Sequence, residues 1–463
     1  MHELKIYNSM QRNKVVFEPI DKHHVRVYAC GPTVYDYAHI GNARMAVVFD
    51  SLVRLLKSLY PKVTYVSNIT DIDDKIIDRS IKDKVSINEV SNKFAKIYNK
   101  DMSMLNVLPP EFQPKATDYV EKMIKDIKVL IDKNYAYYSD KHVVFDVSSY
   151  PKYGLLSSRN KEEQIDGSRV KVAKYKKNPR DFILWKPSKD NEPGWKSPWG
   201  DGRPGWHTEC FSMSKEILKV PFDIHGGGLD LKFPHHENEI AQSCCFHDMN
   251  EDENSYAKYW MHNGFVTVNA EKMSKSIGNI KLVKDYLNLY DGEVIRLALL
   301  SAHYRSPLNW SENVIKQSKN ILNKYYKFLK NYDDIKINND EVSELDNLIK
   351  DALLDDLNIS KALNVLDLNL KNVDKKNNKE IKILKKAIID TGKLLGVFLK
   401  DPKKWGEKEL EDESLENIKE LINTRNLARE NKDYQLADEI RKKLYDMGIE
   451  IKDDENGTQW KKI

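Results

Sequence analysis

The chain has 463 residues, enough for two or three domains, with an apolar fraction of 40% and a charged fraction of 32%. Its net charge is only +4 at pH 7, so a nucleic-acid partner would have to be met by local basic patches. Four cysteines are too few for a disulfide framework, and no run of about 18 apolar residues predicts a membrane span. We therefore expect a cytoplasmic protein without membrane attachment, whose thiols are reduced or bind a metal.

The first clear pattern is a strand, a helix and a second strand. Apolar residues alternate over residues 25–29, and the strand ends at the turn signal CGP of residues 30–32. Helical spacing begins at about Asn42, and a second strand is centred on residues 63–66. This order predicts a βαβ unit with a parallel sheet.

The loop before the helix is a candidate phosphate site. It leaves free backbone N–H groups and the positive end of a helix dipole where a phosphate could bind. Within His39-Ile40-Gly41-Asn42, the side chains of His39 and Asn42 can donate to an anion, and Gly41 lets a flat ring approach the backbone. The alternative is that His39 only caps the helix.

A second charged loop lies far downstream. Lys272 and Lys275, in KMSKS, are two compact charges suited to holding and then releasing a polyphosphate. Alone, such a pair is only a charged loop. The segments HIGN and KMSKS in this order resemble the signature pair of class I aminoacyl-tRNA synthetases.

Four residues are candidates for a zinc site: Cys30, Cys210, His235 and Glu239. His235 and Glu239 are four residues apart, so both would face one side of a helix. Thiolate, imidazole and carboxylate ligands together suit Zn²⁺. Cys244 and Cys245 are alternative ligands, and a cysteine can also be a small buried apolar residue.

The remaining chain contains three further regions. Residues 135–204 are irregular and carry a basic run near residues 171–180, which would serve either for phosphate contact or as a solvated loop. Apolar stripes at helical spacing over residues 309–400 predict a helical bundle. A small terminal unit follows a charged linker after Pro402.

Longer motifs add a more specific resemblance. They look like the motif set of cysteinyl-tRNA synthetases, and the similarity continues to the C-terminus; the segments are CGPTVYDYAHIGNAR, NITDIDDKI, GRPGWHTECFSM, HGGGLDLKFPHHENEIAQS and EKMSKSIGN. The resemblance implies a ligase that activates L-cysteine with ATP and passes it to tRNA(Cys). It implies one Zn²⁺ per chain, which selects cysteine over serine through the substrate thiolate, and Mg²⁺ with ATP.

The resemblance also assigns roles to individual residues. Cys30, Cys210, His235 and Glu239 would hold zinc. Matching the remaining motif positions gives these further expectations: an amino-acid pocket at Thr70 and Trp206, ribose recognition by Asp230, phosphate contacts from His39 and Asn42, and stabilisation of departing pyrophosphate by Lys272 and Lys275. Asn42 departs from the general HIGH motif, and an amide cannot carry charge.

The expected fold is a Rossmann-like α/β catalytic domain with an insertion, then a helical bundle and a small anticodon-binding domain. The expected boundaries are 1–134 and 205–270 for the two catalytic halves, 135–204 for an insertion contacting the tRNA acceptor end, 271–308 for the KMSKS loop and connecting region, 309–400 for the bundle, and 401–463 for the linker and anticodon-binding domain. We expect a monomer.

The terminal unit supplies the candidates for anticodon contact, which are Arg429, Tyr434, Asp438, Asp453 and Trp460. Aromatic residues can stack on unpaired bases, and arginine or aspartate can bind base edges. Without the resemblance, a small helical cap with core aromatics is the simpler interpretation. Two rival functions are a ligase that passes cysteine to an amino sugar and a non-catalytic RNA-binding relative. The terminal unit and the KMSKS lysines argue against them.

Overall fold

A computed structural model of the chain describes residues 3–166, 173–189, 192–249, 255–268, 271–273, 278–337, 343–406, 412–431, 433–454 and 457–462. The strands of these residues are β1 (Lys5–Asn8), β2 (Asn13–Val16), β3 (His24–Ala29), β4 (Lys62–Ser67), β5 (Ala136–Ser139), β6 (His142–Phe145), β7 (Phe182–Pro187), β8 (Gly202–Pro204), β9 (Phe222–Gly228), β10 (Ala257–Asn263), β11 (Val266–Val268), β12 (Glu271–Lys272), β13 (Leu308–Trp310), β14 (Ile449–Asp454) and β15 (Gly457–Lys462).

The helices are α1 (Ile40–Leu59), α2 (Asp74–Asp83), α3 (Ile87–Met104), α4 (Val120–Asp132), α5 (Lys161–Asp166), α6 (Trp206–Leu218), α7 (Glu237–Phe246), α8 (Val283–Leu289), α9 (Gly292–Leu299), α10 (Glu312–Asn331), α11 (Glu344–Leu354), α12 (Ile359–Asn372), α13 (Asn378–Leu395), α14 (Asp412–Glu430) and α15 (Tyr434–Asp446). No helix among the described residues is long and apolar enough to cross a membrane.

The centre of the fold is a parallel sheet with strand order β10-β9-β3-β4. β3 and β4 pair in parallel across α1, which confirms the predicted βαβ unit. Val25, Val27 and Ala29 are all buried, as expected for a strand of a parallel sheet covered on both faces. Because these strands are parallel, their carboxyl ends meet at one edge, where ligands of such sheets bind.

The glycine run of residues 226–228 lies inside a strand. Glycine is depleted in strands, yet β9 begins at Phe222 and continues through all three glycines. A Cβ on Gly226 would lie 2.1 Å from the ring of Phe49 on α1. The glycine therefore allows α1 to pack closely onto the sheet, a tertiary requirement that strand propensity does not contain.

The region between the two catalytic halves contains an antiparallel sheet with strand order β5-β6-β7-β8. Its core includes the stacked rings of Phe145 and Phe182, 4.8 Å apart. This core is continuous with the buried faces of α4, α6 and α7. The sheet therefore shares its apolar core with α6 and α7.

Helices α10 to α13 follow β13 and carry the predicted apolar stripes. Tyr325, Leu353 and Ile388 are buried in the same apolar cluster as residues of β3 and α1. The helical region thus shares a core with the parallel sheet. Because α13 packs against α1, its position bears directly on the loop that begins α1.

The terminal unit consists of α14, α15 and the antiparallel hairpin β14–β15. It has a small apolar core that contains Ile418, Ile422, Ile440, Leu444, Ile449 and Ile451. The sequence predicted the helical part and missed the hairpin.

Candidate active site and metal centre

A cavity of about 740 Å³ lies at the carboxyl ends of β3, β9 and β10. The loop of residues 30–39 and the first turn of α1 form one part of its wall. Residues 263–266, after β10, form another part. The predicted residues that line it are Cys30, His39, Gly41, Asn42, Trp206 and Asp230. The cavity therefore brings the predicted nucleotide and amino-acid residues together in one space.

The first turn of α1 is held by a reciprocal cap. His39 Nδ1 accepts the backbone N–H of Asn42 at 3.2 Å, and Asn42 Oδ1 accepts the backbone N–H of His39 at 3.1 Å. His39 is thus the N-cap of a helix that begins at Ile40, two residues earlier than predicted. The capping alternative is confirmed, and both residues still line the cavity. The Asn42 side chain thus stabilises the start of α1 through its oxygen, and none of the hydrogen bonds found among the described residues uses its amide N–H donors.

The four predicted metal ligands meet beside this cavity. Cys30 follows β3, Cys210 lies on α6, His235 lies in the short helical turn Lys232–His236, and Glu239 lies on α7. Their ligand atoms all lie within 4.8 Å of one another, and all four residues are buried. The Cys30 and Cys210 sulfurs are 3.7 Å apart, and His235 Nε2 is 3.1 Å from Glu239 Oε1.

These separations fit zinc. A tetrahedral ion with Zn–S bonds of about 2.3 Å holds two sulfurs about 3.8 Å apart, and its nitrogen and oxygen ligands about 3.4 Å apart. His235 Nε2 is buried and, although 3.1 Å from Glu239 Oε1, makes no well-aligned hydrogen bond within the described residues, so this nitrogen is placed to bind a cation. Its other ring nitrogen, Nδ1, lies 2.9 Å from His207 Nδ1, the outer-sphere contact that orients a histidine ligand. The donor set is therefore suited to Zn²⁺.

A second combination of ligand atoms overlaps the first: Cys30, His225, His236 and Glu239. We favour the first set because each oxygen of Glu239 has its own partners. Oε1 faces Cys30 and His235, whereas Oε2 accepts from Tyr256 Oη at 2.8 Å and lies 2.8 Å from His225 Nε2. His225 and Tyr256 thus contact Oε2, the Glu239 oxygen that does not face Cys30 and His235. The alternative cysteines also lie elsewhere, with Cys244 Sγ 3.0 Å from Ser255 Oγ.

The charges of the cluster favour ligand binding. Burial raises the pKa of Glu239, but His225 and His235 outweigh it and hold that pKa well below its usual value. The hydrogen bond from Cys30 lowers the pKa of Cys210 to about 6, and burial raises the pKa of Cys30 well above its usual value. Of the two thiols, Cys210 therefore ionises more readily than Cys30.

Trp206 joins the cluster to the cavity. Its ring centroid lies 4.2 Å from that of His235, and its side chain is 40% exposed where the cavity opens. Cys30 lines the same cavity. A group entering beside Trp206 would therefore approach the ligand cluster from the cavity side.

Thr70 does not line the cavity but is buried behind it. Its hydroxyl donates to Glu209 Oε2 at 3.2 Å and accepts from the Asn68 amide at 3.2 Å. Asn68 Oδ1 also accepts the N–H of Gly31 at 2.8 Å. Thr70 therefore belongs to a polar network beneath the loop of Cys30, and burial raises the pKa of Glu209 well above its usual value.

Asp230 follows the glycine run and is exposed at the cavity. A Cβ on Gly228 would lie 2.4 Å from Asp230 Oδ1, so this glycine makes room for the carboxylate. Of the three glycines, Gly228 alone is among the described residues that line the cavity. Gly228 therefore faces the cavity, while Gly226 serves the packing of α1.

Comparison with known proteins decides the family. A family model described as the class I (C) tRNA synthetase catalytic domain matches residues 16–320. The cysteine–tRNA ligase of Parvibaculum lavamentivorans is 47% identical over 464 residues, covering 99% of this chain and 98% of the relative. That of Saccharophagus degradans is 48% identical over 466 residues, covering 99% and 100%.

The chain belongs to the cysteine–tRNA ligase family. Family membership makes it an aminoacyl-tRNA ligase. Mycobacterium tuberculosis methionyl-tRNA synthetase bound by methionyl-adenylate is similar to it in structure, with a TM-score of 0.57 and 13% identity over 80% of this chain and 92% of that chain. A leucyl-tRNA synthetase of Agrobacterium radiobacter gives a TM-score of 0.56 at 12% identity over 82% and 83%. At such identities the likeness shows the class I fold with its Rossmann-like core.

Of the two class I signature segments, HIGN and KMSKS, the second lies only partly within the described residues. The Lys272 side chain and the whole of Lys275 lie outside the described residues. The segments around them are placed, since Met273 and Gly278 line the cavity. The assignment of the two lysines to pyrophosphate stays a prediction.

Of the five candidates for anticodon contact, three have partners within the terminal unit and two are exposed. Asp453 accepts from Arg425 at 2.9 and 2.8 Å and from Arg429 at 2.5 Å, and these partners hold its pKa well below the usual value. Trp460 packs against the small core. Tyr434 is 63% exposed, and Asp438 is also exposed.

Sequence reasoning missed the outer sphere of the metal cluster. His207, His225 and Tyr256 support the ligands, yet no local pattern distinguishes them from ordinary buried polar residues. The density of histidine and carboxylate in HHENE, with HTEC and HGGG elsewhere, was the available signal. It becomes informative only once three distant segments are known to meet.

Tyr256→Phe is expected to lower the affinity for zinc by about 10-fold, because it removes the hydroxyl donor that orients Glu239. Competition with a chromogenic chelator would measure the affinity. Tyr150→Phe is the matched control, since that buried tyrosine donates to Cys244 Sγ on the same helix, α7, outside the ligand set. Equal affinities for Tyr256→Phe and the unaltered protein would contradict the role of Tyr256.

Proposed function

We propose that this protein activates L-cysteine with ATP and transfers the cysteinyl group to the 3′-terminal ribose of tRNA(Cys). The first step would form cysteinyl-adenylate and pyrophosphate. The observation that carries the proposal is the placement of a buried two-thiol, imidazole and carboxylate cluster against the wall of a cavity suited to a nucleotide. Membership of the family of cysteine–tRNA ligases, over nearly the full chain, supports the same conclusion.

Cys30, Cys210, His235 and Glu239 would hold Zn²⁺. Because the protein supplies four ligands, the bound ion would have to admit a fifth, the substrate thiolate. It would then supply an affinity for thiolate that the hydroxyl of serine cannot match, a polar requirement of the kind that gives roughly 10⁴–10⁵-fold discrimination without editing. Trp206 would cover the amino acid, and Thr70 would support the loop of Cys30 from below. These residues position the side chain of cysteine and exclude larger ones.

The nucleotide would occupy the cavity beside this pocket. The backbone N–H groups at the start of α1, with His39 and the Asn42 amide, would contact the phosphates of ATP, which carries its own Mg²⁺. Asp230 would accept from ribose hydroxyls, and Lys272 and Lys275 would stabilise the departing pyrophosphate. The cysteine carboxylate is itself the nucleophile, so the protein contributes position and charge stabilisation.

The tRNA would contact two separate regions of the chain. The antiparallel sheet within residues 135–204 would meet the acceptor end, and residues 401–463 would bind the anticodon, with Tyr434 and Asp438 as the exposed candidates. We place the protein in the cytoplasm as a monomer, consistent with four buried cysteines that are all free.

The first experiment is ATP–pyrophosphate exchange with cysteine, serine or methionine, before and after treatment with a chelator. We expect exchange with cysteine alone and its loss on chelation. Subsequent charging of tRNA(Cys) would separate this activity from ligation to an amino sugar. No exchange with any amino acid, from folded protein that contains zinc, would overturn the proposal.

Tyr434→Ala is expected to raise the KM for tRNA in charging by roughly 5- to 100-fold, because one stacked base is worth about 1–3 kcal/mol. Pyrophosphate exchange should be unchanged, since Tyr434 lies in the terminal unit. Tyr434→Phe keeps the ring and is expected to stay near the unaltered protein. Normal charging by Tyr434→Ala would show that this side chain does not stack on the tRNA.

A further inference from the structure

The described wall of the nucleotide cavity carries few positive charges. Its carboxylates are Asp36 and Asp230, and its basic side chains are His39 and Lys75. Lys75 is the only lysine or arginine among the described residues that line this cavity. A cavity that binds polyphosphate and a carboxylate substrate needs cationic groups at its wall, and Lys75 is in position to supply one.

The surrounding structure directs Lys75 into the cavity wall. It is the second residue of α2, whose N-cap, Asp73, accepts the Lys75 backbone N–H at 2.8 Å. The Lys75 Nζ lies 5.3 Å from the centroid of the Tyr35 ring. Tyr35 belongs to the same cavity-lining loop as His39. The ammonium group therefore lies over the loop that leads to the phosphate end of the site.

Two neighbouring carboxylates are engaged by other cations, whereas that of the N-cap Asp73 lies near Lys75, whose charge partly offsets the burial that raises the Asp73 pKa. Asp74 binds Lys186 and Arg203, each at 2.8 Å, and Asp36 lies 3.7 Å from Arg79. Within the described part of the chain, no carboxylate lies within ion-pair distance of Lys75 Nζ. The charge of Lys75 is thus available for a ligand.

Lys75 also lies next to a second cavity. Residues 72–74, immediately before it, line a space of about 360 Å³ beneath the antiparallel sheet, together with Lys176 and Arg180. Trp206 lines both spaces, which are therefore neighbours. A phosphate could reach Lys75 from ATP in the first cavity or from a polynucleotide end entering past the second.

We propose that Lys75 is a catalytic residue that binds a phosphate oxygen of a substrate. The proposal rests on the proposed function and names one ligand chemistry with two sources, the phosphates of ATP and the phosphodiester of the 3′-terminal nucleotide of tRNA. Because Lys75 is exposed on the first turn of a helix, its substitution should leave folding intact.

The test compares Lys75→Met, Lys75→Arg and Lys82→Met. Lys82 is an exposed lysine in the last turn of α2 and is not among the described lining residues, so its substitution is the matched control. Two steps are measured: pyrophosphate exchange at varied ATP, and single-turnover transfer from preformed cysteinyl-adenylate to tRNA. Zinc content is measured for every variant and should not change.

Lys75→Met is expected to slow one of the two steps by roughly 10- to 100-fold, the range for a lost hydrogen bond to a charged group. Lys75→Arg should recover most of that loss, and Lys82→Met should behave as the unaltered protein. Slow exchange identifies ATP as the source, and slow transfer with normal exchange identifies the tRNA. Normal rates in both steps for Lys75→Met would overturn the role of Lys75 alone, whereas unaltered protein without exchange would overturn the proposed function.

Discussion

Replacement of Cys210 by serine is expected to remove zinc from the protein and to lower cysteine-dependent pyrophosphate exchange by more than about 100-fold. Cys210 is buried, its sulfur is 3.7 Å from that of Cys30, and its pKa is lowered to about 6, so it is the better thiolate of the pair. A serine hydroxyl is a harder ligand and does not ionise at neutral pH. Metal analysis of purified protein and the exchange assay would measure the two effects.

Cys245→Ser provides the matched control for this substitution. Cys245 is as buried as Cys210, and it is not among the cysteines of the ligand cluster found in the described residues. We expect this variant to keep about one zinc per chain and most of its exchange activity. A Cys210→Ser protein that retains its zinc and activates cysteine normally would remove Cys210 from the ligand set.

The strand, loop and helix around Cys30 and Asn42 could be predicted from sequence because the patterns that indicate them lie within short segments. Alternating residues before Cys30 and helical spacing after Asn42 define the strand, loop and helix without knowledge of the rest of the chain. The four ligands come from three separate segments, up to 209 residues apart from Cys30 to Glu239. Residue chemistry alone left Cys244 and Cys245 as alternative ligands, and the resemblance to a family selected Cys30 and Cys210, whose sulfurs lie beside His235 and Glu239 in the folded chain.

The features that sequence reasoning missed depend on tertiary neighbours. The glycines of β9 would ordinarily end a strand, but the ring of Phe49 requires that Gly226 lack a side chain. Tyr256 is an ordinary buried tyrosine until Glu239 lies 2.8 Å from its hydroxyl. The terminal hairpin is a different case, because Asn456-Gly457 after alternating Ile449 and Ile451 was a readable hairpin signal that the charged composition obscured.

Substitution of Asp50 by alanine is expected to cost about 3–5 kcal/mol of stability, the usual effect of leaving a buried charge without its partner. Asp50 lies on α1, where its carboxylate accepts from Arg54 at 2.7 Å, from the Leu108 N–H at 2.8 Å and from the guanidinium of Arg296. Arg296 also donates to the Leu395 carbonyl at the end of α13. This buried network therefore joins the helix of the phosphate loop to the helical bundle.

Two measurements test this role of Asp50. The urea midpoint should fall for Asp50→Ala, and pyrophosphate exchange should be lost at a lower temperature, because the start of α1 forms part of the wall of the cavity proposed to bind ATP. Glu216→Ala is the matched control, since it removes an ion pair with Lys122 whose side chains are 41% and 44% exposed. Such an exposed pair is worth at most about 1 kcal/mol.

The double variant Asp50→Ala with Arg296→Met separates a lost ion pair from lost packing. Removing both charges leaves no unpaired ion, so it should be less destabilised than the sum of the two single variants. Strict additivity would mean that Asp50 and Arg296 do not stabilise each other, and an Asp50→Ala midpoint equal to that of Glu216→Ala would mean that the network contributes no more than a surface pair. With the expected coupling, Arg296 of α9 holds α1 through Asp50 and joins it to the end of α13 through the Leu395 carbonyl.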